Sequence, residues 1–171
     1  MKNRWKQILA AACVVVLTAC GYHFSGGGSF PGGVSRIFIT MLENRSSESG
    51  VESIFTNDLI YEFTRKREAA IAKNKASADA ILSGTISLST TTISRSSVST
   101  AVEKRVVGTL NLRLVTPDGR TFWSSGSLSE QQAYTVEKEN ETATDQNESE
   151  AIAEVSEKLA EAAFSLMTDN F

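Results

Sequence analysis

Ala80-Ile81-Leu82-Ser83-Gly84-Thr85-Ile86-Ser87-Leu88-Ser89 alternates with a period of two. Ala80, Leu82, Gly84, Ile86 and Leu88 fall on one side, and Ile81, Ser83, Thr85, Ser87 and Ser89 on the other. Successive strand residues point to opposite faces, so this is a strand with one apolar and one polar face, of the antiparallel type, running on towards Ile93. Beyond it, Ser94 to Thr100 is rich in Ser and Thr and suits an exposed hairpin tip. Val102 to Thr116 then repeats the pattern. Val106, Gly108, Leu110, Leu112 and Leu114 share one face; Arg105, Val107, Thr109, Asn111 and Arg113 share the other. Pro117-Asp118-Gly119-Arg120 is a turn, with proline presetting φ and glycine free to take a left-handed conformation. Thr121 to Tyr134 reads as a further strand containing Phe122, Trp123 and Leu128, with Gly126 marking a bulge.

Outside this block the period changes to that of a helix. Upstream, Ser49-Gly50-Val51-Glu52 has capping-box form. Val51, Ile54, Phe55, Leu59, Ile60 and Phe63 follow at helical spacing, so a helix is expected to about Arg67. Downstream, Lys138 to Glu148 reads as an acidic linker. Glu150 to Met167 reads as a second amphipathic helix, with Ile152, Val155, Leu159, Ala162, Ala163 and Leu166 as its stripe. Before the first helix, Val34 to Thr40 alternates as a strand, and Glu43 to Ser47 reads as a polar loop. The predicted order is β-α-β-β-β-α. Each helix has a single apolar stripe and needs a sheet to cover. The expected fold is therefore α+β, two amphipathic helices packed on one face of a four-stranded sheet.

The N-terminal region is different in kind. Lys2, Arg4 and Lys6 precede an apolar run from Ile8 to Leu17. About ten apolar residues are half the roughly 20 that a spanning helix needs, and match the core of a secretory signal. The run ends at Leu17-Thr18-Ala19-Cys20, which resembles the lipobox of bacterial lipoproteins. That resemblance implies removal of residues 1–19 and acylation of Cys20, which becomes the first residue of the mature chain. Each buried methylene contributes about 0.8 kcal/mol, so several acyl chains make a stable anchor. Residues 20–33, with Gly26-Gly27-Gly28 and Pro31-Gly32-Gly33, read as a tether, and residues 34–171 as a single domain.

Removing 19 of 171 residues leaves 152, one domain's worth, and changes the net charge from −3 to −6. An acidic balance argues against a nucleic-acid or anionic-surface binder unless positive charge is locally clustered. Cys13 departs with the signal and Cys20 is the anchor, so no disulfide is expected. His23 stands alone beside the anchor, without partners for metal or nucleophilic chemistry. The glycine-rich tether lacks the preceding strand and following helix of a phosphate cradle. No Ser/His/Asp set, body cysteine or metal spacing appears, so the chain is not expected to be an enzyme or to hold a cofactor. Asp58, Glu62 and Asp79 could be posed as acid-base carboxylates, but nothing in the sequence brings them together.

Cys20-Gly21-Tyr22-His23-Phe24 and Phe30-Pro31-Gly32-Gly33-Val34 lead into Ile37-Phe38-Ile39. Glu43-Asn44-Arg45, Leu59-Ile60-Tyr61-Glu62-Phe63 and Ala78-Asp79-Ala80-Ile81-Leu82-Ser83-Gly84-Thr85-Ile86 follow. In this order, over nearly all of the mature chain, they resemble the LPS-assembly lipoprotein family LptE. Two features depart from the family pattern: Thr40 stands where a proline is common, and the 94–100 tip is unusually rich in Ser and Thr. The resemblance implies an outer-membrane lipoprotein on the periplasmic side. Its partner would be an LptD-type β-barrel, which it plugs one-to-one and helps to assemble for lipopolysaccharide delivery. Gly21 beside the anchor agrees with outer-membrane sorting. The alternative is a generic envelope lipoprotein binding peptidoglycan or another lipid.

For direct lipopolysaccharide contact, Arg95, Lys104 and Arg105 flank the predicted hairpin, with Arg113 further along a polar strand face. Basic side chains pair naturally with phosphates, and Arg offers a bidentate fork. Isolated surface cations also serve solubility alone. Lys66 and Arg67 have a simpler account as cations at a helix C-terminus. Phe122 and Trp123 are expected to pack at the core and its rim.

Overall fold

The computed structural model describes residues 30–67, 70–93 and 102–168. Its elements in order are β1 (Ile37–Ile39), β2 (Glu43–Asn44), α1 (Val51–Arg67), β3 (Ala80–Ile93), β4 (Val102–Val115), β5 (Thr121–Val136) and α2 (Glu141–Thr168). The three long strands pair antiparallel in sequence order. β1 and β2 both run parallel to β3, along the edge that β4 leaves free. The sheet is therefore mixed and has five strands, not four. The additional strand is Glu43–Asn44, expected as loop: Asn44 and Glu43 are poor strand formers, but they pair with Thr85 and Ile86. Tertiary pairing outweighs local propensity here.

Burial follows the alternation. Ala80, Leu82, Ile86, Val106, Leu110, Leu112 and Leu114 are buried under the two helices. α2 lies along β4 and β5, where Gly108 lets it approach closely: a Cβ there would stand 2.5 Å from Val155 Cγ1. α1 closes the β1–α1–β3 crossover and packs on α2. At one end Phe63 meets the ring of Phe30 at 6.2 Å and that of Phe164 edge-on at 5.1 Å, which ties the chain's entry to both helices. Burial of each such side chain contributes about 1.5–3 kcal/mol. Phe122 and Trp123 pack partly buried against this core, as expected.

Two details of the long strands match their sequence signals. Gly119 has φ +90 in the β4–β5 turn, which the Thr116 N–H to Arg120 C=O bond closes. Gly126 has φ +66, and Leu112 opposes it while Arg113 opposes Ser124, so Ser125 is the extra residue of a bulge. The helices differ more from expectation. In α1, Val51, Phe55, Leu59 and Phe63 are buried, whereas Ile54 and Ile60 are exposed; Thr56 and Glu62 take buried places instead. In α2, the helix begins at Glu141 inside the stretch expected to be a linker. Asn140 explains this, since its Oδ1 accepts from the Ala143 N–H as an N-cap does. The first turns carry no apolar stripe because they cover polar strand ends: Asn147 Nδ2 donates to the Thr135 carbonyl.

Candidate functional site

Both helices cover the same face of the sheet; among the described residues, no helix lies on the opposite face of β3, β4 and β5. Its strand rows are read from the register: Ser83–Arg113–Ser124, Thr85–Asn111–Ser127, Ser87–Thr109–Ser129, Ser89–Val107–Gln131 and Thr91–Arg105–Ala133. At about 3.3 Å per residue, a 14-residue strand makes this face about 45 Å long. Hydroxyl and amide groups dominate it. Such a face offers donors and acceptors to a polar partner along most of its length; its apolar residues, Phe38, Ile81 and Val115, form a row at the end beside β1, with Val107 further along.

The cations singled out in the sequence are divided by the fold. Arg105 and Arg113 lie on the open face, eight residues and about 26 Å apart along β4. Lys104 falls on the opposite face, in register with Thr92 and Tyr134. At that end of the molecule α2 begins, bringing Glu137, Glu139, Glu141, Asp145 and Glu148. Burial pushes the Tyr134 phenol up, and Glu148 and Asp145 add to this. Arg95 and Cys20 lie outside the described residues. Of the three described residues offered for lipopolysaccharide, the structure places Arg105 and Arg113 on a common face and Lys104 on the other, and gathers no cluster from them.

The carboxylates posed as acid-base candidates are also resolved in position. Asp58 and Glu62 line a groove of about 270 Å³ between the helices, with Arg65, Glu157 and Glu161. Asp79 is elsewhere: its Oδ2 accepts from the backbone N–H groups of Ser35 and Arg36 at 3.2 and 2.8 Å. Burial pushes the Glu62 carboxyl up, but Lys66 and Arg65 outweigh it and hold the group below its ordinary value. Lys66 Nζ is 2.9 Å from Oε1, and Arg65 Nε 3.1 Å from Oε2. Asp58 accepts from the buried Ser156 hydroxyl. Glu62 is thus held in its ionised form by the two cations, which is not the state of a general acid, and Asp58 is tied into the helix–helix contact through Ser156. Among the described residues, no group of three or more His, Cys, Asp or Glu side chains could hold a metal ion.

A second groove, of about 750 Å³, was not foreseen. Arg36, Thr64, Ile71, Ala72, Lys73, Asn74 and Ser77 line it, at the end of the sheet where the chain enters at Phe30. Its walls are pinned by the backbone. Ile71 bridges to Ile37, the Ala72 N–H donates to the Ile37 carbonyl, and Asn74 caps the short turn Lys75–Ser77. The only sequence signal was Lys73 and Lys75 in a stretch of neither period.

A family model for lipopolysaccharide assembly, LptE, matches residues 34–167. Among solved structures, a minor lipoprotein from Acinetobacter baumannii is similar at TM-score 0.50 and 16% identity, over 80% of this chain and 93% of that one. Rare lipoprotein B from Shewanella oneidensis matches at TM-score 0.51 and 15% identity, over 76% and 95%. Lipoprotein B from Nitrosomonas europaea matches at TM-score 0.55 and 15% identity, over 76% and 79%. No curated protein sequence matches the chain. At these identities the structural likeness speaks for the fold, while the family match spans both helices and all five strands. The chain belongs to the LptE lipopolysaccharide-assembly family.

Proposed function

We propose that this protein is an outer-membrane lipoprotein, held by acylated Cys20 on the periplasmic side, that occupies the lumen of an LptD-type β-barrel one-to-one. In that place it serves barrel assembly and the passage of lipopolysaccharide to the outer leaflet, and it acts by binding, not by catalysis. The observation that carries this reading is the open, hydroxyl-rich face of β3, β4 and β5. The lumen of a wide barrel is polar and water-filled, so a plug must meet it with polar surface along its length. The open sheet supplies such a surface over most of its length of about 45 Å, from the Ser83 row onward. Arg105 and Arg113 stand on it and can meet phosphate groups, while Lys104 lies on the other face near the end where β4 begins.

The test is a detergent pull-down of tagged, acylated protein from outer membranes. The expected result is a heat-modifiable barrel protein at near one-to-one stoichiometry. Recovery of the lipoprotein alone, or with peptidoglycan fragments, overturns the plug and favours a general envelope binder. Charge reversal at Arg105, read by lipopolysaccharide retention on the purified protein, tests direct contact: an unchanged retention removes that residue from the reading.

A further inference from the structure

The molecule is electrically polarised along the sheet. Among the described residues, the end where α2 begins carries Glu103, Glu137, Glu139, Glu141, Asp145 and Glu148 against Lys104, Arg105 and Lys138, whereas the opposite end carries Arg36, Arg67, Lys73 and Lys75 against Asp79. At that basic end the chain arrives from the tether: Phe30 is buried there, with the Arg67 guanidinium 5.1 Å from its ring centre. Ten residues separate Cys20 from Phe30, a reach of at most about 33–36 Å. An acylated Cys20 therefore keeps the basic end, rather than the acidic one, close to the bilayer.

We infer that, in the anchored chain not yet seated in a barrel, the groove lined by Arg36, Ile71, Ala72, Lys73 and Asn74 is a docking surface for anionic phospholipid headgroups of the leaflet that holds the anchor; this rests on the anchored reading above. Three observations support it. The groove has apolar residues on its floor, Ile71 and Ala72, between cations at its rim, the arrangement that a phosphodiester on a glycerol backbone complements. Arg36, Lys73 and Lys75 are all exposed, and the Asp79 carboxylate beside them is engaged with the backbone N–H groups of Ser35 and Arg36. The groove is also preorganised, because Asp79 fixes the backbone at Arg36, and the Ile37 pairing fixes that at Ala72. A basic residue near an anionic membrane surface strengthens binding by about fivefold, so three or four make a contact that orients an anchored body without replacing its anchor. An overall acidic protein can dock on an anionic surface only if its cations are gathered in this way.

The experiment uses the acylated full-length chain reconstituted in vesicles of phosphatidylcholine alone or of phosphatidylcholine with 30% phosphatidylglycerol. Amine labelling at Lys73 and Lys75 is measured by mass spectrometry, with Lys158, remote on α2, as reference. The expected result is at least threefold protection of Lys73 and Lys75 on the anionic vesicles only, abolished by 0.5 M salt. In Arg36→Glu, protection of both lysines should fall to the level on neutral vesicles, and Lys75→Glu should likewise weaken protection at Lys73. Equal labelling on both vesicle types, in a chain that floats with both, overturns the groove and leaves the anchor standing. A chain that floats with neither overturns the anchored reading and the docking with it. Protection by lipopolysaccharide micelles but not by phosphatidylglycerol assigns the groove to another phosphate source and likewise overturns the proposal.

Discussion

Glu62 shows how one side chain can be misjudged by its type and explained by its neighbours. It falls among the polar residues of α1 by composition, yet it is 3% exposed, while Ile54 and Ile60 of the expected stripe face outward. The reason is the second helix: Glu161 approaches Arg65 at 3.8 Å, and Arg65 and Lys66 bring their charges to the Glu62 carboxylate from the next turn of the same helix. Helical periodicity sorts residues by polarity and cannot foresee a buried ion pair. Glu62→Gln should therefore destabilise the protein by about 1 kcal/mol, the value for breaking a buried pair being reduced because both cationic partners are well exposed. The pH dependence has a definite sign. The folded-state value lies below 4.5, so the stabilisation is fully present above that pH and is lost as pH falls through the lower folded value. Chemical denaturation at pH 7 and pH 3 should show a wild-type advantage over Glu62→Gln at pH 7 that shrinks at pH 3. An advantage independent of pH would refute the ion-pair account.

Elements were legible where a single periodicity ran unbroken. The two-residue alternation of β3 and β4 specified strands and faces, because a slip by one residue would invert every face, and in β5 the lone Gly126 marked the bulge. The N-terminal third of α2 was not legible by the same means. Residues 141–149 have no stripe to find, and what starts the helix is one side-chain bond, from the Ala143 N–H to Asn140 Oδ1. Asn140→Ala should cost about 0.5–2 kcal/mol. Hydrogen exchange should quicken across residues 141–149 and change little from 152 onward, where Ile152, Val155 and Leu159 hold the helix on the sheet. Uniformly faster exchange along the helix would mean that the cap governs the whole element. At the crossing of the same helix with β4, Gly108 is required by space alone. In Gly108→Ala the new Cβ would meet Val155 Cγ1 at 2.5 Å and Leu159 Cδ1 at 3.1 Å, so α2 must shift. Overpacking of this kind costs about 1–3 kcal/mol, and Gly108→Ala combined with Val155→Ala should recover part of it in a double-mutant melt.

At the scale of the whole molecule, the sequence already contained the division into a helix-covered face and an open one, but not the separation of charge along the long axis. That separation arises from topology, since the last turn of α1 and the segment 70–79 deliver their lysines and arginines to the end where Phe30 is buried, and α2 begins at the other. The open face permits a test in which folding and partnership are read separately. Thr109 lies at its centre, opposite Ser87 and Ser129, on strand faces that no helix covers. A surface substitution of this kind changes stability by about 0.5 kcal/mol or less, so Thr109→Glu with Ser129→Glu should melt within a few degrees of the wild type. Inside a barrel the same two carboxylates would be held against a wall that has no cations arranged for them, and unpaired charge is costly once water is excluded. The double variant should therefore fold, float with its membrane, and recover less than a tenth of the barrel protein that the wild type captures. Retention of full stoichiometry would show that the open face looks away from the barrel wall, and the plug would then have to be seated by its helices.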